Sequence, residues 1–336
     1  MEHCPARIVG VTGSNGKSTT AAMIASILQA AGHRTFLGGN IGGSLLEQLP
    51  EIGPDAWVVL EISSFQLWHF TPSAKMPHVA VVTGCRPNHL DWHASHADYV
   101  AAKQRILMGQ TPGDVVVLNT FDEETASWAS LVDGRRVQLP ELDSLPTLTV
   151  PGVHNRINAA CAAAAAVGAG CRPDAIWRGL DTFCGLPQRL ERFAVVEGRS
   201  FHNDSAATTP ESTIAALQSL DVPVWLLAGG KSKGANLGPL AEEIVGRARG
   251  AAFFGSIRAE LFASVAAIDA RFPCTAVKTM EEALRWCWKH CRSGEAVVLS
   301  PGCASTDQFC NFRRRGERFV ELVQQPDLLT SRGTML

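Results

Sequence analysis

The chain has 336 residues, of which 46% are apolar and 18% are charged, so it is long enough to bury two hydrophobic cores. Thirty basic residues nearly balance thirty-two acidic ones, which excludes the strongly positive surface expected of a protein that binds nucleic acid or anionic membranes. The sequence shows no signal peptide and no run of 18 apolar residues, so we expect no membrane insertion and a cytoplasmic protein.

Apolar runs alternate with longer helical patterns in the first half of the chain. Arg7–Gly13 is predicted to be a buried strand, and Lys17–Ala31 a helix that ends at Gly32. Three Val-rich runs follow in AWVVLEIS, HVAVVTG and DVVVLN, and such continuous apolar runs are typical of parallel strands covered on both faces. The alanine-rich stretch Asn155–Gly168 predicts a closely packed helix.

A second series of strands is predicted in RSFHNDS, PVWLLAGG, GAAFFG and EAVVLS. We therefore predict an α/β protein with two domains, residues 1–186 and 187–336. The first, which carries the glycine-rich stretch at residues 11–20 described below, is expected to be a P-loop mononucleotide-binding domain with a parallel sheet, and the second a Rossmann-like α/β domain.

The ten cysteines form no CxxC pair, which argues against a zinc ribbon or a disulfide framework and favours a reducing compartment. Cys287 and Cys291 lie four residues apart beside His290. A half-buried helix with small apolar thiols explains this spacing better than a metal site does.

The stretch VTGSNGKSTT, residues 11–20, joins the first strand to the first helix through two glycines. It lacks the first glycine of the strict P-loop pattern, because Val11 stands at that position. A strand followed by a glycine turn and a helix nevertheless has the geometry of an anion site, because the free backbone N–H groups and the dipole at the helix start face the anion. Lys17 would add a charge beside the phosphates and Ser18 a hydroxyl for Mg²⁺. The alternative is an ordinary strand-to-helix turn.

Glu61 interrupts an apolar strand near its carboxyl end, where open α/β sheets bind ligands. A buried carboxylate needs a cation or strong donors, and Mg²⁺ held with Ser18 would satisfy it. The alternative is a glutamate at the strand edge that faces solvent.

His89, Asp91, His93 and His96 follow the predicted strand at 79–83, and Lys103 follows in a helical pattern that begins near Ser95. The spacing of His89 and His93 does not match a helical zinc motif, whereas Mg²⁺ accepts a single histidine beside carboxylate and phosphate oxygens. We expect His93 and His96 to be solvated loop and helix-start histidines.

Together these motifs resemble the Mur ligases of peptidoglycan assembly, and in particular the glutamate-adding branch. The resemblance covers about residues 7–323 and rests on motifs in the family's order: GVTGSNGKSTT, GGNIG, LEISSFQL, NHLDWH, AAKQRI, VHNRINAACAAAAA, GLPQRLER, NDSAATTPEST, GGKSKGANL and LSPGCASTDQFCNFRRRGERF. The DNPR-type signature of the diaminopimelate- or lysine-adding branch is absent from the sequence.

The resemblance implies an ATP-dependent ligase that adds glutamate to a UDP-muramoyl peptide, UDP-N-acetylmuramoyl-alanine, through an acyl phosphate. It implies two Mg²⁺ ions, one held by Ser18 and Glu61 and one served by His89 and Lys103. Lys103 is expected to be carbamylated, because an ammonium has only hydrogen-bond donors and cannot bind a metal ion. The implied catalytic residues are Lys17, His89 and Lys103.

The remaining site residues follow from the resemblance position by position. The implied ATP contacts are Gly13, Ser14, Asn15, Gly16, Lys17, Ser18, Thr19, Asn40, Asn158, Arg189 and Asp204. The implied contacts to the muramoyl substrate or to glutamate are Asn155, Thr208, Lys233, Ser305, Thr306 and Phe312.

The sequence departs from the family in three respects. The family has an N-terminal domain that binds the UDP group, whereas only MEHCPA precedes the first strand here, so we expect a separate UDP-binding domain acting in trans or a shortened gene start. Ala206 replaces a lysine usual near the phosphates, which would cost about 1–3 kcal/mol as a lost charged hydrogen bond. Thr306 and Asn88 stand where leucine and aspartate are common.

Two alternatives remain open from the sequence. One is a Mur-type ligase that acts on a different carboxylate, such as a folate or a polymer. The other is a nucleotide-binding module without turnover, which retention of Lys17, Glu61, His89 and Lys103 argues against. The sequence does not distinguish D-glutamate from L-glutamate, since mirror-image amino acids present the same groups.

Overall fold

The computed structural model describes residues 1–41, 43–71, 75–87, 92–232 and 234–325. The chain divides into two compact units, Met1–Cys184 and Gly185–Leu336, each with its own β-sheet. Within the described ranges, no helix has the length and apolar character needed to cross a membrane.

Unit 1 alternates strands and helices. Its strands are β1 (Arg7–Thr12), β2 (Thr35–Gly39), β3 (Trp57–Glu61), β4 (Val79–Val82), β5 (Val115–Leu118) and β6 (Arg135–Arg136). Its helices are α1 (Lys17–Ala30), α2 (Ser64–Trp68), α3 (His96–Gln104), α4 (Glu123–Ser127), α5 (Val153–Gly168) and α6 (Pro173–Asp181).

The sheet of unit 1 is parallel throughout its described strands, in the order β2-β3-β1-β4-β5-β6. The chain runs from β1 to one side of the sheet and later crosses to β4 on the other side. Ligands of open α/β sheets bind at such a reversal, beyond the carboxyl ends of the strands. Val11 pairs with Glu61 and Thr12 with Val82, so the phosphate-loop motif and Glu61 emerge at this point.

Small residues allow the helices of unit 1 to pack closely. The alanines of α5 between Ala159 and Ala166 are buried, and α5 packs on α1, as the alanine-rich pattern predicted. The hydroxyl of Ser26 on α1 donates to the carbonyl of Gly179 on α6 over 2.7 Å. A side chain at Gly179 would collide with the backbone of Ile27, so only glycine permits this approach.

Unit 2 contains a mixed sheet in the order β11-β10-β9-β12-β8-β7, in which β7 alone among the described strands is antiparallel to its neighbour. Its strands are β7 (Glu191–Val196), β8 (Arg199–Asn203), β9 (Val224–Gly229), β10 (Ala248–Phe254), β11 (Cys274–Ala276) and β12 (Ala296–Gly302). Its helices are α7 (Pro210–Gln218), α8 (Gly238–Arg247), α9 (Arg258–Ile268), α10 (Met280–His290) and α11 (Phe312–Gln324).

The predicted fold class is confirmed: two α/β units, the first with a parallel sheet. Four strands were not predicted, namely β2, β6, β7 and β11. β7 is half exposed and β11 has three residues, so neither carries the apolar run by which the other strands were recognised. Cys287 is buried in α10 and Cys291 is buried just after it. No cluster of His, Cys, Asp or Glu suited to a metal occurs among the described residues.

Candidate active site

The loop between β1 and α1 brings the start of α1 to the carboxyl edge of the sheet. Gly16, the residue before the helix, has a left-handed φ of 82°, and no side chain caps the first turn. A Cβ at this position would collide with Oδ1 of Asn158 on α5, so the turn requires glycine. The N–H groups of the first helical turn have no partner within the helix, which is the usual geometry of an anion site.

Glu61 is buried at the end of β3 with 2% of its surface exposed, which rules out the solvent-facing alternative. Ser18 on α1 donates its hydroxyl proton to Oε2 of Glu61 over 2.6 Å. Asn40, which follows β2, donates its side-chain amide to Oε1 over 2.9 Å. Neither bond supplies a full positive charge, so the carboxylate is held in place with its charge only partly compensated.

Two lysines approach the phosphate loop from different directions. Lys17 is half-buried and donates to the carbonyl of Ser14 over 2.9 Å. Lys103 on α3 is 1% exposed and donates to the carbonyl of Gly13 over 2.8 Å. Burial lowers the pKa of the Lys103 amine well below its usual value, and the positive charge of Lys17 lowers it further. The site therefore favours a neutral amine at Lys103.

The loop that follows β4 packs on the phosphate loop. Thr83 donates its hydroxyl proton to the carbonyl of Asn15 over 2.6 Å, and Gly84 accepts from the N–H of Ser14 over 2.8 Å. Arg86 forms an ion pair with Asp122 at 3.0 Å. The predicted ligand His89, together with Asn88 and Asp91, lies outside the described residues.

The expectation that His93 is a solvated loop residue was wrong. His93 is 3% exposed, and its Nε2 lies 3.0 Å from the hydroxyl of Ser64. The rings of Phe65, Trp92 and Tyr99 surround it, with centroids 4.5–5.8 Å away. These neighbours come from α2, α3 and the preceding loop, so burial of His93 depends on tertiary packing. His96 is the first residue of α3, as expected for a helix-start histidine.

Asn155 and Asn158 lie on the first turns of α5, beside the phosphate loop. The amide of Asn158 donates to Oδ1 of Asn155 over 3.3 Å, and Asn155 donates to the carbonyl of Pro151 over 2.7 Å. Both side chains are buried, and Asn158 is the neighbour that excludes a side chain at Gly16. The structure therefore brings Asn158 to the predicted nucleotide loop.

Family models match most of the chain. The model for the Mur ligase middle domain matches residues 11–143, and the model for the Mur ligase glutamate ligase domain matches residues 188–303. A protein of Symbiobacterium thermophilum named UDP-N-acetylmuramoylalanine–D-glutamate ligase is 36% identical over 351 residues, covering 96% of this chain and 76% of that protein. The chain belongs to the Mur ligase family. Members of this family are ATP-dependent ligases that form amide bonds.

Solved structures of Mur ligases share the fold. MurF from Acinetobacter baumannii superposes with a TM-score of 0.75 at 18% identity, covering 96% of this chain and 78% of that chain. MurF from Thermotoga maritima, solved in complex with ADP, gives a TM-score of 0.71 at 16% identity, covering 94% of this chain and 79% of that chain.

In unit 2 of this Mur ligase, Asp204 follows β8 and is buried. Its carboxylate accepts the N–H of Leu190 over 3.0 Å and the hydroxyl of Ser300 over 2.7 Å. Burial raises the pKa of Asp204 to about 7, although both hydrogen bonds oppose the change. Gln188 and Leu190 have left-handed φ values of 62° and 50°, so Arg189 stands in a tightly folded turn that Asp204 holds.

The residues predicted to hold the incoming amino acid lie on two loops of unit 2 and on α11. Thr208 is half-buried, Ser305 is buried, Thr306 is exposed and Phe312 is the first residue of α11. Lys233 lies outside the described residues. The structure therefore places these side chains singly, with no bond among the described ones that joins them into a pocket.

Two buried residues were missed by sequence reasoning. Arg315 is fully buried and donates to the hydroxyl and carbonyl of Ser205 and to the carbonyl of Cys303, which joins the loops after β8 and β12. Tyr99 is 1% exposed, and its hydroxyl lies 2.9 Å from that of Ser14. The signal that could have identified Tyr99 is its position four residues before Lys103 on one helix.

Proposed function

We propose that this Mur ligase adds D-glutamate to UDP-N-acetylmuramoyl-L-alanine with consumption of ATP. The order of the sequence motifs and the names of the relatives support the substrate pair. The observation that carries the proposal is the buried Ser18–Glu61 pair beside an open helix start. A buried anion joined to the first turn of a phosphate-binding helix is arranged for a cation that accompanies phosphate.

At the phosphate end, N–H groups of the loop at residues 13–19, other than that of Ser14, which bonds to Gly84, bind the phosphate chain of ATP together with the ammonium of Lys17. Ser18 and Glu61 fit Mg²⁺, which prefers oxygen ligands from hydroxyls, carboxylates and phosphates. Asn40 fixes the second oxygen of Glu61, so the carboxylate has one defined orientation. The ion supplies positive charge where two anions, the substrate carboxylate and the γ-phosphate, must meet.

We propose that Lys103 carries a carbamate. A neutral amine is nucleophilic, and its nitrogen forms a bond to the carbon of CO₂ while one proton leaves to solvent. The product is an anion with two oxygens, which suits a second Mg²⁺ served together with His89. Burial and the charge of Lys17 favour the neutral amine that this reaction requires.

We propose that the ligation proceeds in two steps. An oxygen of the substrate carboxylate attacks the γ-phosphorus of ATP, ADP leaves, and an acyl phosphate forms. The amine of glutamate then attacks the acyl carbon, inorganic phosphate leaves, and the amine loses a proton. Asn158, Arg189 and Asp204 are assigned to the nucleotide, and Asn155 to the muramoyl side. Glutamate is assigned to a set of unit-2 residues: Thr208, Lys233, Ser305, Thr306 and Phe312.

The UDP group of the substrate requires a binding site of its own. We propose that a UDP-binding domain, fused or separate, supplies it. The aligned part of the Symbiobacterium thermophilum relative is 76% of that protein, which leaves room there for such a domain. Binding energy from a remote group orients the reacting carboxylate, and orientation accounts for about 7–11 kcal/mol of a barrier in favourable cases.

The test is glutamate-dependent phosphate release with Mg-ATP and UDP-N-acetylmuramoyl-L-alanine. We expect slow release from the 336-residue chain and a rate higher by orders of magnitude when a UDP-binding domain is added. Equal rates would contradict the need for that domain. Release with a folate or polymer carboxylate in place of the muramoyl substrate would favour another Mur-type ligase. Mg-ATP binding without release for any carboxylate would favour a module without turnover.

A further inference from the structure

A buried hydrogen-bond centre joins three segments of unit 1. The hydroxyl oxygens of Ser14 and Tyr99 lie 2.9 Å apart, and the two residues are 7% and 1% exposed. Ser14 donates its proton to the carbonyl of Arg86 over 2.8 Å and accepts the N–H of Arg86 over 2.9 Å. Because the single proton of Ser14 goes to Arg86, Tyr99 is the donor in its bond to Ser14.

Ser14 is therefore fully engaged by protein groups. Its N–H donates to Gly84 and its hydroxyl bonds to Arg86 and Tyr99, so the side chain has little capacity left for a phosphate oxygen. Its role in the loop is to fasten the backbone rather than to bind the nucleotide through its side chain.

Tyr99 also contacts Lys103, one turn further along α3. The Nζ atom of Lys103 lies 4.5 Å from the centre of the Tyr99 ring and donates to the carbonyl of Gly13. Consecutive residues of the phosphate loop, Gly13 and Ser14, are thus each bonded to a side chain of the same helix.

We propose that Tyr99 is a positioning residue that holds the phosphate loop and the amine of Lys103 in a fixed relation. Its hydroxyl fixes the loop through Ser14, and its ring fixes the Lys103 amine. A tyrosine suits this task because it has only two side-chain torsions, and because both its hydroxyl and its ring make contacts in the buried site. The inference rests on the proposed phosphate loop.

The experiment is a double-mutant cycle measured by calorimetry of Mg-ATP binding. Tyr99→Phe removes the hydroxyl and keeps the ring, and Ser14→Ala removes the other partner. We expect Tyr99→Phe to raise the Kd for Mg-ATP about 3- to 10-fold, the range that one lost buried hydrogen bond gives. Ser14→Ala should raise it further, because this change also removes both bonds to Arg86. The double variant should bind Mg-ATP only slightly more weakly than whichever single variant binds it more weakly. The reason is that the bond between the two hydroxyls can be lost only once.

Ser26→Ala is the matched control. It removes one hydroxyl bond of 2.7 Å from α1, at the contact with α6 and away from the phosphate loop. We expect a lowered Tm with an unchanged Kd for Mg-ATP. An equal rise in Kd for Ser26→Ala would overturn the proposal, because general loosening of the unit would then explain the effect.

Lys17→Ala distinguishes failure of the role of Tyr99 from failure of the proposed phosphate loop. If Lys17→Ala weakens Mg-ATP binding while Tyr99→Phe and Ser14→Ala do not, the phosphate loop stands and the role of Tyr99 is refuted. If Lys17→Ala leaves the Kd unchanged, the phosphate loop itself is refuted. Should Tyr99→Phe fail to fold, Ser14→Ala alone decides, since unchanged affinity in that variant overturns the proposal.

Discussion

Replacement of Gly16 by alanine tests the geometry of the phosphate loop most sharply. Gly16 has a φ of 82°, and alanine pays about 1–2 kcal/mol to adopt a left-handed conformation. The added Cβ also collides with the side-chain oxygen of Asn158. Displacing Asn158 breaks its 3.3 Å bond to Asn155 and leaves a buried amide without a partner, at a cost of about 1–3 kcal/mol. The expected total loss is about 2–5 kcal/mol.

Gly32 provides the matched control at the other end of the same helix. Its φ is 86°, and a Cβ there would meet nothing within 4 Å. Gly32→Ala should therefore lower the free energy of unfolding by only about 1–2 kcal/mol, from the backbone alone. The difference between the two variants isolates the contact with Asn158. Gly16→Ala combined with Asn158→Ala should recover part of that difference.

Two assays read the result. Urea unfolding followed by circular dichroism gives the free energy of unfolding, and calorimetry gives the Kd for Mg-ATP. We expect Gly16→Ala to lose Mg-ATP binding, because the shifted turn misdirects the first N–H groups of α1, and Gly32→Ala to retain it. Equal destabilisation by the two variants together with normal Mg-ATP binding by Gly16→Ala would refute the reasoning.

Three further predictions concern charged groups. Lys17→Ala should abolish the heat of Mg-ATP binding in calorimetry, and an unchanged isotherm would contradict a phosphate role for this lysine. Lys103→Ala should lose phosphate release that added short-chain carboxylates partly restore, since they replace the carbamate oxygens; normal turnover in this variant would exclude the carbamate. The pKa of Asp204 is raised to about 7 in the folded protein, against about 3.9 in an unfolded chain. The stabilising contribution of protonated Asp204 is therefore complete below about pH 4 and is lost as the pH rises to about 7. Asp204→Asn should remove this pH dependence from the free energy of unfolding. An identical pH dependence in both proteins would contradict the raised pKa.

The strands and the phosphate loop could be predicted because their signals are local. β1, β3, β4 and β5 are short apolar runs, and Gly16 precedes a helical pattern, so a few adjacent residues identify each element. The half-exposed edge strand β7 carries no such run. It is recognisable only once β8 is available to pair with it.

The contacts that assemble the site could not be predicted in the same way. Ser18 and Glu61 are 43 residues apart, and Ser14 and Tyr99 are 85 residues apart. Only the sheet order brings each pair together. His93 shows the same limit, since a histidine in a polar loop is indistinguishable from a solvated one until aromatic rings from other elements enclose it. The predicted role of Lys103 came from family resemblance, and its burial is a property of the fold.

The most direct measurement of the central claim follows an oxygen atom. UDP-N-acetylmuramoyl-L-alanine labelled with ¹⁸O in its carboxylate is turned over with ATP, Mg²⁺ and D-glutamate by the chain supplied with a UDP-binding domain. An acyl phosphate transfers one carboxylate oxygen to the released phosphate, so mass spectrometry should find one ¹⁸O in each inorganic phosphate and one in the new amide. Phosphate released without ¹⁸O would contradict the account, because ATP would then be hydrolysed without activating the carboxylate.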